Sequence, residues 1–116
     1  MELAEEQLNA LLDLCDEVSV LKDGTSVFVH MKNLRYTCGG TPLTMNALLS
    51  PQEHSGYATR LFFERKHDFA LADGNPPNWQ VQVVLGTTWH TWSWKDVPAN
   101  QELIGIVAGH LKAFKP

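Results

Sequence analysis

The stretch that most constrains the fold is GTTWHTWSW at Gly86–Trp94, which holds three of the chain's four tryptophans around one histidine. Side chains alternate between the two faces of a β-strand. As a strand, this stretch places His90, Trp92 and Trp94 on one face and Trp89 on the other. Two indole rings on one face offer a large apolar area for burial. The sequence therefore predicts a sheet whose core includes this strand.

Two amphipathic segments are predicted to flank the sheet as helices. Leu3–Cys15 repeats apolar residues at steps of three and four, which is the spacing of one helix face. Asn100–Phe114 carries a similar stripe, with Asn100 as the expected N-cap. Gly105 and Gly109 lie inside this second helix, where each costs about 1 kcal/mol relative to alanine. We expect another element to pack closely against them.

The segments between the helices are predicted to form one antiparallel sheet. Asp23-Gly24 is typical of a tight hairpin turn, and Gly86-Thr87 is expected to turn a second hairpin. Glycines after Cys38 make Asn33–Thr44 an expected loop or bulged crossing. Residues 1–116 are thus predicted to be a single α+β domain, with an N-terminal helix, an antiparallel β-meander and a C-terminal helix packed on the sheet. The other extended or apolar runs are Glu17–Lys22, Thr25–Met31, Met45–Leu49, Tyr57–Arg65 and Trp79–Leu85.

Composition and charge exclude several classes of function. The net charge is −4 and the isoelectric point is near 5.6, whereas a nucleic-acid binder needs a surplus of Lys and Arg for phosphate contacts. No apolar run approaches the ~20 residues that span a membrane, and the acidic, amphipathic Met1–Asp16 differs from a signal peptide. We therefore expect a cytoplasmic protein with two free thiols, Cys15 and Cys38, and without a nucleic-acid or membrane partner.

Cys38 is the first candidate for chemistry, because it precedes two glycines and Arg35 lies nearby in sequence to favour a thiolate. The alternative is a small buried hydrophobe in a bend, as most free cysteines are. His90, between Trp89 and Trp92, fits a general base or a ligand anchor, or else a histidine with one satisfied hydrogen bond. The five histidines lack the close pairing of a zinc site, so no metal is expected, and a site assembled in three dimensions is the open alternative. No cofactor is expected either.

Several segments resemble bacterial ubiquitin-conjugating-enzyme-like proteins. HSGYATRLFFE at His54–Glu64 looks like that family's strand pair with its Gly-Tyr turn, and LADGNPPNW at Leu71–Trp79 is similar to a family segment. The W-x-x-W-S-W pattern at Trp89–Trp94, followed by a terminal helix, is similar as well. The resemblance covers roughly Thr44–Phe114, and its layout is that of a short ubiquitin-conjugating (UBC-like) fold.

The resemblance implies a role in a bacterial ubiquitin-like conjugation pathway, beside a ubiquitin-like modifier and its adenylating activating enzyme. An active family member carries the modifier as a thioester on a cysteine, which needs a thiolate and an oxyanion donor. Arg65–Pro98, where the family places that cysteine, has none. Three explanations are open. Cys38 serves from a rearranged loop, the protein binds the modifier without chemistry, or Ser50 stands where a cysteine has been replaced.

Two other classes of function are also open. A small interaction module would bind a protein through the Trp-rich sheet, and it would show an exposed sheet face. A small-molecule binder would hold its ligand in a pocket between sheet and closing helix, lined by His90, Trp92 and Trp94. The predicted catalytic residues are Cys38, Ser50 and His90, and the predicted partner-binding residues are His54, Tyr57, Trp89, Trp92 and Trp94.

Overall fold

Six β-strands and two α-helices are present among the residues that the computed structural model describes, which are 3–38, 40–52, 57–66, 79–92, 97–112 and 114. The strands are β1, Glu17–Asp23; β2, Ser26–Cys38; β3, Thr41–Ser50; β4, Arg60–Phe63; β5, Trp79–Val84; and β6, Thr87–Trp92. The helices are α1, Glu5–Ala10, followed by a 3₁₀ turn at Leu11–Asp13, and α2, Leu103–Leu111. The predicted α+β class is confirmed.

The described strands form one sheet in the order β1-β2-β3-β4-β6-β5, with every neighbouring pair antiparallel. The first four strands follow one another as in a meander. β4 then pairs with β6 through Phe63 and His90, and β5 pairs with the far side of β6. β1 and β5 are therefore the two edges of the sheet.

One face of the sheet, called here the helix face, carries the main hydrophobic core together with residues of α2. Trp92 stacks on Phe63 with 5.5 Å between the ring centroids, and Phe114 lies 5.0 Å from Trp92. The C-terminal helix contributes Leu103, Ile106 and Val107 to the same core, so it packs on the sheet, as predicted. A second cluster, which includes Trp89, lies on the opposite face, as the alternation of the Trp-rich strand predicts. Its other buried members are Phe28, Leu48, Phe62 and Val84.

The expected loop or bulged crossing at Asn33–Thr44 is instead the end of β2 and the start of β3. The bulge of the second alternative is present, at the start of this range in β2. The pairing register shifts between Met31 and Leu34, and Asn33 has a φ of 56°. Asparagine is one of the few residues that enters this left-handed region at modest cost. Its backbone N–H donates to Oδ1 of Asn46 at 3.0 Å, which holds the bulge in place.

Both helices are shorter than the amphipathic patterns predict. α1 has six residues, because the chain tightens into the 3₁₀ turn after Ala10. α2 begins at Leu103, so the N-cap is Glu102, in an extended conformation and without a side-chain cap, and Asn100 lies outside the helix. Neither helix in the described part of the chain has the length and apolarity needed to cross a membrane.

The two glycines of α2 have different surroundings. A Cβ on Gly109 would lie 3.1 Å from Cγ1 of Val97, so the expected close packing is present there. A Cβ on Gly105 would meet only the side chain of Gln101, with its Oε1 at 2.9 Å. That side chain is exposed, and its Nε2 donates to the carbonyl of Pro98 at 3.0 Å. Close packing therefore explains Gly109 and does not explain Gly105.

Candidate functional site

Cys38 lies at the end of β2, opposite Thr41 in the β2–β3 hairpin. Its side chain belongs to the main core and is only 6% exposed. Burial raises the pKa of the Cys38 thiol. This environment favours the protonated thiol over the thiolate that thioester exchange needs. Cys38 as a nucleophile stays a prediction, and its surroundings give that prediction no support.

Arg35 does not provide the positive charge expected beside Cys38. The two residues are three positions apart in β2, so their side chains point to opposite faces. Nη1 of Arg35 instead lies 2.6 Å from Oδ1 of Asp16, and Nδ2 of Asn33 donates to Oδ2 of Asp16 at 2.9 Å. These hydrogen bonds from Asn33 and Arg35 lower the pKa of Asp16. The Arg35 charge is thus held at the β2 bulge.

As predicted, Cys15 and Cys38 are free thiols, and both are buried.

Ser50 and Cys38 lie at opposite ends of the same strand pair. β3 runs from Thr41, opposite Cys38, to Ser50, and at ~3.3 Å per residue this distance is roughly 30 Å. The Ser50 side chain is buried, and its hydroxyl donates to the carbonyl of Gln52 at 2.9 Å. These two predicted catalytic residues therefore do not share a site.

His90 shares a site with neither of them. It lies far from Cys38 along the sheet. It faces the side opposite to Ser50, because Leu49, the residue before Ser50, belongs to the helix-face core. It pairs with Phe63, which pairs in turn with Ala47 near the middle of β3. Ala47 is six strand positions from Thr41, which is roughly 20 Å at ~3.3 Å per residue. The half-buried His90 side chain faces the same side of the sheet as Trp92. The three residues predicted to be catalytic are thus dispersed along the sheet.

The two described tryptophans of the Trp-rich strand are interior residues. Trp89 is 5% exposed and Trp92 is 2% exposed. Trp89 makes an edge contact with His30, with 5.9 Å between ring centroids. A partner cannot contact either indole while the core stays closed. The predicted binding residues His54 and Trp94 lie outside the described residues.

Tyr57, also predicted to bind a partner, is half-buried beside a buried cation. The guanidinium of Arg60 lies 4.2 Å from the centroid of the Tyr57 ring, and Nη2 of Arg60 donates to Oε1 of Gln80 at 2.6 Å. Arg60 is 2% exposed, and burial lowers its pKa. Within the described residues no carboxylate lies within ion-pair distance of this guanidinium. Sequence reasoning missed the buried arginine, because Arg60 stands beside an ordinary apolar strand pattern.

A second set of buried polar side chains joins Thr59, the residue before β4, to His110 of α2. Oγ1 of Thr59 donates to the carbonyl of Val97 at 2.8 Å and lies 2.9 Å from Nε2 of His110. Burial, with a smaller effect of the Arg60 charge, lowers the pKa of His110 to about 4. His110 is therefore neutral at pH 7 and serves as a hydrogen-bonding side chain of the core.

The described residues contain no group of three side chains that could hold a metal ion. A groove of about 510 Å³ lies beside α2, and another of about 360 Å³ lies between the start of the chain and α2. Neither is lined by His90 or Trp92, so neither is the predicted small-molecule pocket. The first groove is lined by Leu14, Thr37, Ala108, Leu111, Lys112 and Phe114.

The most exposed apolar side chains of the described chain lie on β5 and its turn. Val81 is 62% exposed, Val83 is 68% exposed and Leu85 is 50% exposed. These three residues, named here the β5 strip, belong to neither hydrophobic cluster. The alternation in WQVQVV predicts correctly that the valines share a face, yet alternation cannot tell whether that face is covered.

The β5 strip continues the helix face of the sheet. Val81 pairs with His90, and Val83 pairs with Thr88. Residues directly opposite in an antiparallel pair point to the same side, so both valines lie on the same face as Trp92. The helix face is therefore buried at its centre and open at the β5 edge.

Comparison of the chain with protein-family models, with curated proteins and with solved structures finds no match in any of the three.

Proposed function

We propose that the chain is a non-catalytic protein-interaction module and that the β5 strip is the surface that holds its partner. The observation that carries the proposal is the exposure of Val81 and Val83 on an edge strand without charge. Proteins usually protect edge strands with charged side chains, proline or bulges. An unprotected edge suits a partner that adds an extended strand and covers the valines.

The environments of the predicted nucleophiles also favour binding over chemistry. Thioester exchange needs an accessible thiolate with a nearby base or oxyanion donor. Cys38 is buried with a raised pKa, and Ser50 already donates its hydroxyl to the carbonyl of Gln52. His90 lies roughly 20 Å along the sheet from the Cys38 end, and it faces the side of the sheet opposite to Ser50. Of the three explanations for the missing cysteine, this supports the protein that binds without chemistry.

The resemblance to UBC-like proteins supplies the candidate partner. A ubiquitin-like modifier, presented by its activating enzyme, is the protein that such a chain is expected to meet. The UBC-like fold and the conjugation pathway both stay parts of this proposal. A partner that covers the β5 strip would bury two exposed valines and complete the backbone hydrogen bonds of the edge.

The test is an amide-shift titration of ¹⁵N-labelled protein with the ubiquitin-like modifier from the same genome. We expect the largest shifts at the β5 strip, and loss of binding in Val83→Lys. Val20→Lys is the matched control, because Val20 is an exposed valine on the opposite edge strand, β1. Shifts confined to another surface would contradict the proposed site, and unchanged spectra would exclude the modifier as the partner.

A further inference from the structure

We infer that in the isolated protein the β5 edge is covered by β5 of a second copy, so that two sheets join across a two-fold axis. The inference rests on the proposed function, because it uses the same β5 strip. It goes further by naming what covers the strip when no other partner is present, which is a second copy of the chain. Three observations support it: the charges of the two edges, the direction in which the β5 backbone groups point, and the compatibility of β5 with an antiparallel copy of itself.

The two edges of the sheet differ in charge. β1 carries Glu17, Lys22 and Asp23, and charged side chains of this kind block pairing with another strand. The seven residues Trp79–Leu85 contain no Asp, Glu, Lys or Arg and no proline. Of the two edge strands among the described residues, β5 alone is therefore open to strand addition.

The backbone of β5 is oriented for such an addition. Leu85 and Gly86 have φ values of 49° and 81°, which are typical of a two-residue primed turn closed by Val84 and Thr87. The closing pair of such a hairpin is hydrogen-bonded, and hydrogen bonding then alternates along the strand. The N–H and C=O groups of Val81 and Val83 consequently point away from β6, toward the outer edge.

An uncharged strand is compatible with an antiparallel copy of itself. If the two-fold axis passes beside Gln82, Val81 of each copy lies opposite Val83 of the other copy. Val81 and Val83 of both copies then make backbone hydrogen bonds across the axis, and their side chains make apolar contacts. No like charges meet in this arrangement. The geometry is isologous, since both copies use the same patch. Only one strand of each copy takes part, and small contacts of this kind are mostly weak and transient, so the dimer is expected to dissociate on dilution.

Sedimentation velocity over about 1 to 200 µM tests the inference on the whole chain. We expect a concentration-dependent dimer for the wild type and at least a tenfold higher dissociation constant for Val83→Lys. Val20→Lys adds the same charge to the β1 edge and is expected to leave the dimer unchanged. A wild type that is monomeric throughout, or a dimer that Val83→Lys does not weaken, would overturn the inference.

A pair of variants with opposite charges shows whether a substitution in β5 disrupts only the dimer contact or the fold itself. Val81→Glu and Val83→Lys are each expected to be monomeric, whereas an equimolar mixture should form a heterodimer, because the introduced carboxylate and ammonium groups would lie opposite one another. Failure of the mixture to associate would overturn the proposed register. A monomer that still binds the ubiquitin-like modifier at β5 would leave the proposed function intact and remove only the dimer. A dimer that binds no modifier would support the dimer and remove the modifier as the proposed partner.

Discussion

Nε2 of His110 lies 2.9 Å from Oγ1 of Thr59, inside the core between α2 and β4. The Thr59 hydroxyl donates its proton to the carbonyl of Val97, so it accepts a hydrogen bond from the Nε2–H of His110. The neutral imidazole with its proton on Nε2 satisfies this chain of donors and acceptors. A second proton would place a positive charge on this buried ring, which is also near the Arg60 charge, so the pKa of His110 is lowered, mainly by burial.

Acid should destabilise the protein through His110. Its pKa is about 4 in the folded state and 6.5 when exposed, so the unfolded chain binds more protons between these values. The stability that this group contributes is then complete above about pH 6.5 and falls as the pH drops toward 4. Between about pH 7.5 and about pH 5 we expect the free energy of unfolding of the wild type to fall by ~2 kcal/mol because of His110. Urea unfolding of wild type and His110→Gln at both pH values measures it. An equal pH dependence in both proteins would contradict the prediction.

The two glycines of α2 should respond differently to alanine. Gly105→Ala is expected to stabilise the protein by about 0.5 to 1 kcal/mol, because helix propensity improves and moving the exposed Gln101 side chain gives up at most one exposed hydrogen bond, to the carbonyl of Pro98. Gly109→Ala gains the same propensity but presses its Cβ against the buried, β-branched Val97. We expect Gly109→Ala to be neutral or destabilising by about 1 kcal/mol. Thermal unfolding of each variant, and of Gly109→Ala combined with Val97→Ala, checks the contact. Equal effects at both glycines would show that Val97 does not resist the methyl group.

Both thiols should be protected from alkylation in the folded protein. Cys15 is 2% exposed and Cys38 is 6% exposed, and burial raises the pKa of each. The thiolate is the reactive form, so native protein at about pH 7.5 should react far more slowly than protein in denaturant. Mass spectrometry of the two cysteine peptides follows both rates, with Cys15 as the internal reference. Rapid, selective alkylation of Cys38 in the native state would revive its predicted role as a nucleophile.

The buried guanidinium of Arg60 should make its acceptor important for stability. Gln80→Leu removes the carbonyl oxygen that accepts from Nη2 of Arg60, and it is expected to cost about 1 to 3 kcal/mol. Arg60→Met combined with Gln80→Leu removes donor and acceptor together and should cost less than Gln80→Leu alone, because no buried charge is left without its acceptor. Chemical denaturation of the single and double variants forms a double-mutant cycle. A double variant less stable than Gln80→Leu would contradict this account.

Periodicity predicted the parts of the fold that depend on which residues share a face. The placement of Trp92 and Trp89 on opposite faces and the C-terminal helix on the sheet are both of this kind. The β5–β6 hairpin was predicted from Gly86-Thr87 instead, and its two-residue turn lies one position earlier, at Leu85-Gly86. The bulge at Asn33 was less predictable, because its left-handed conformation depends on the distant side chain of Asn46. Local pattern contains no information about such a contact.

The candidate site was harder to predict, because exposure is decided by what packs on a face. Val81 and Trp92 lie on the same face of adjacent strands, yet one is 62% exposed and the other 2%. Cys38 follows an apolar alternation that fits a core position as well as a bend, and the glycines after it favoured the bend. Arg60 was missed because a charged residue beside an inner strand is normally assigned to solvent.

The difference between the charged β1 edge and the uncharged β5 edge also limits the size of any assembly built by strand pairing. A sheet with two open edges can add copies at both ends without limit and grow into a fibre. Here Glu17, Lys22 and Asp23 block one end. Pairing through β5 consumes the other end in both copies at once. Self-association by this route therefore stops at two chains, and the apolar edge can be kept for recognition without making the protein prone to polymerise.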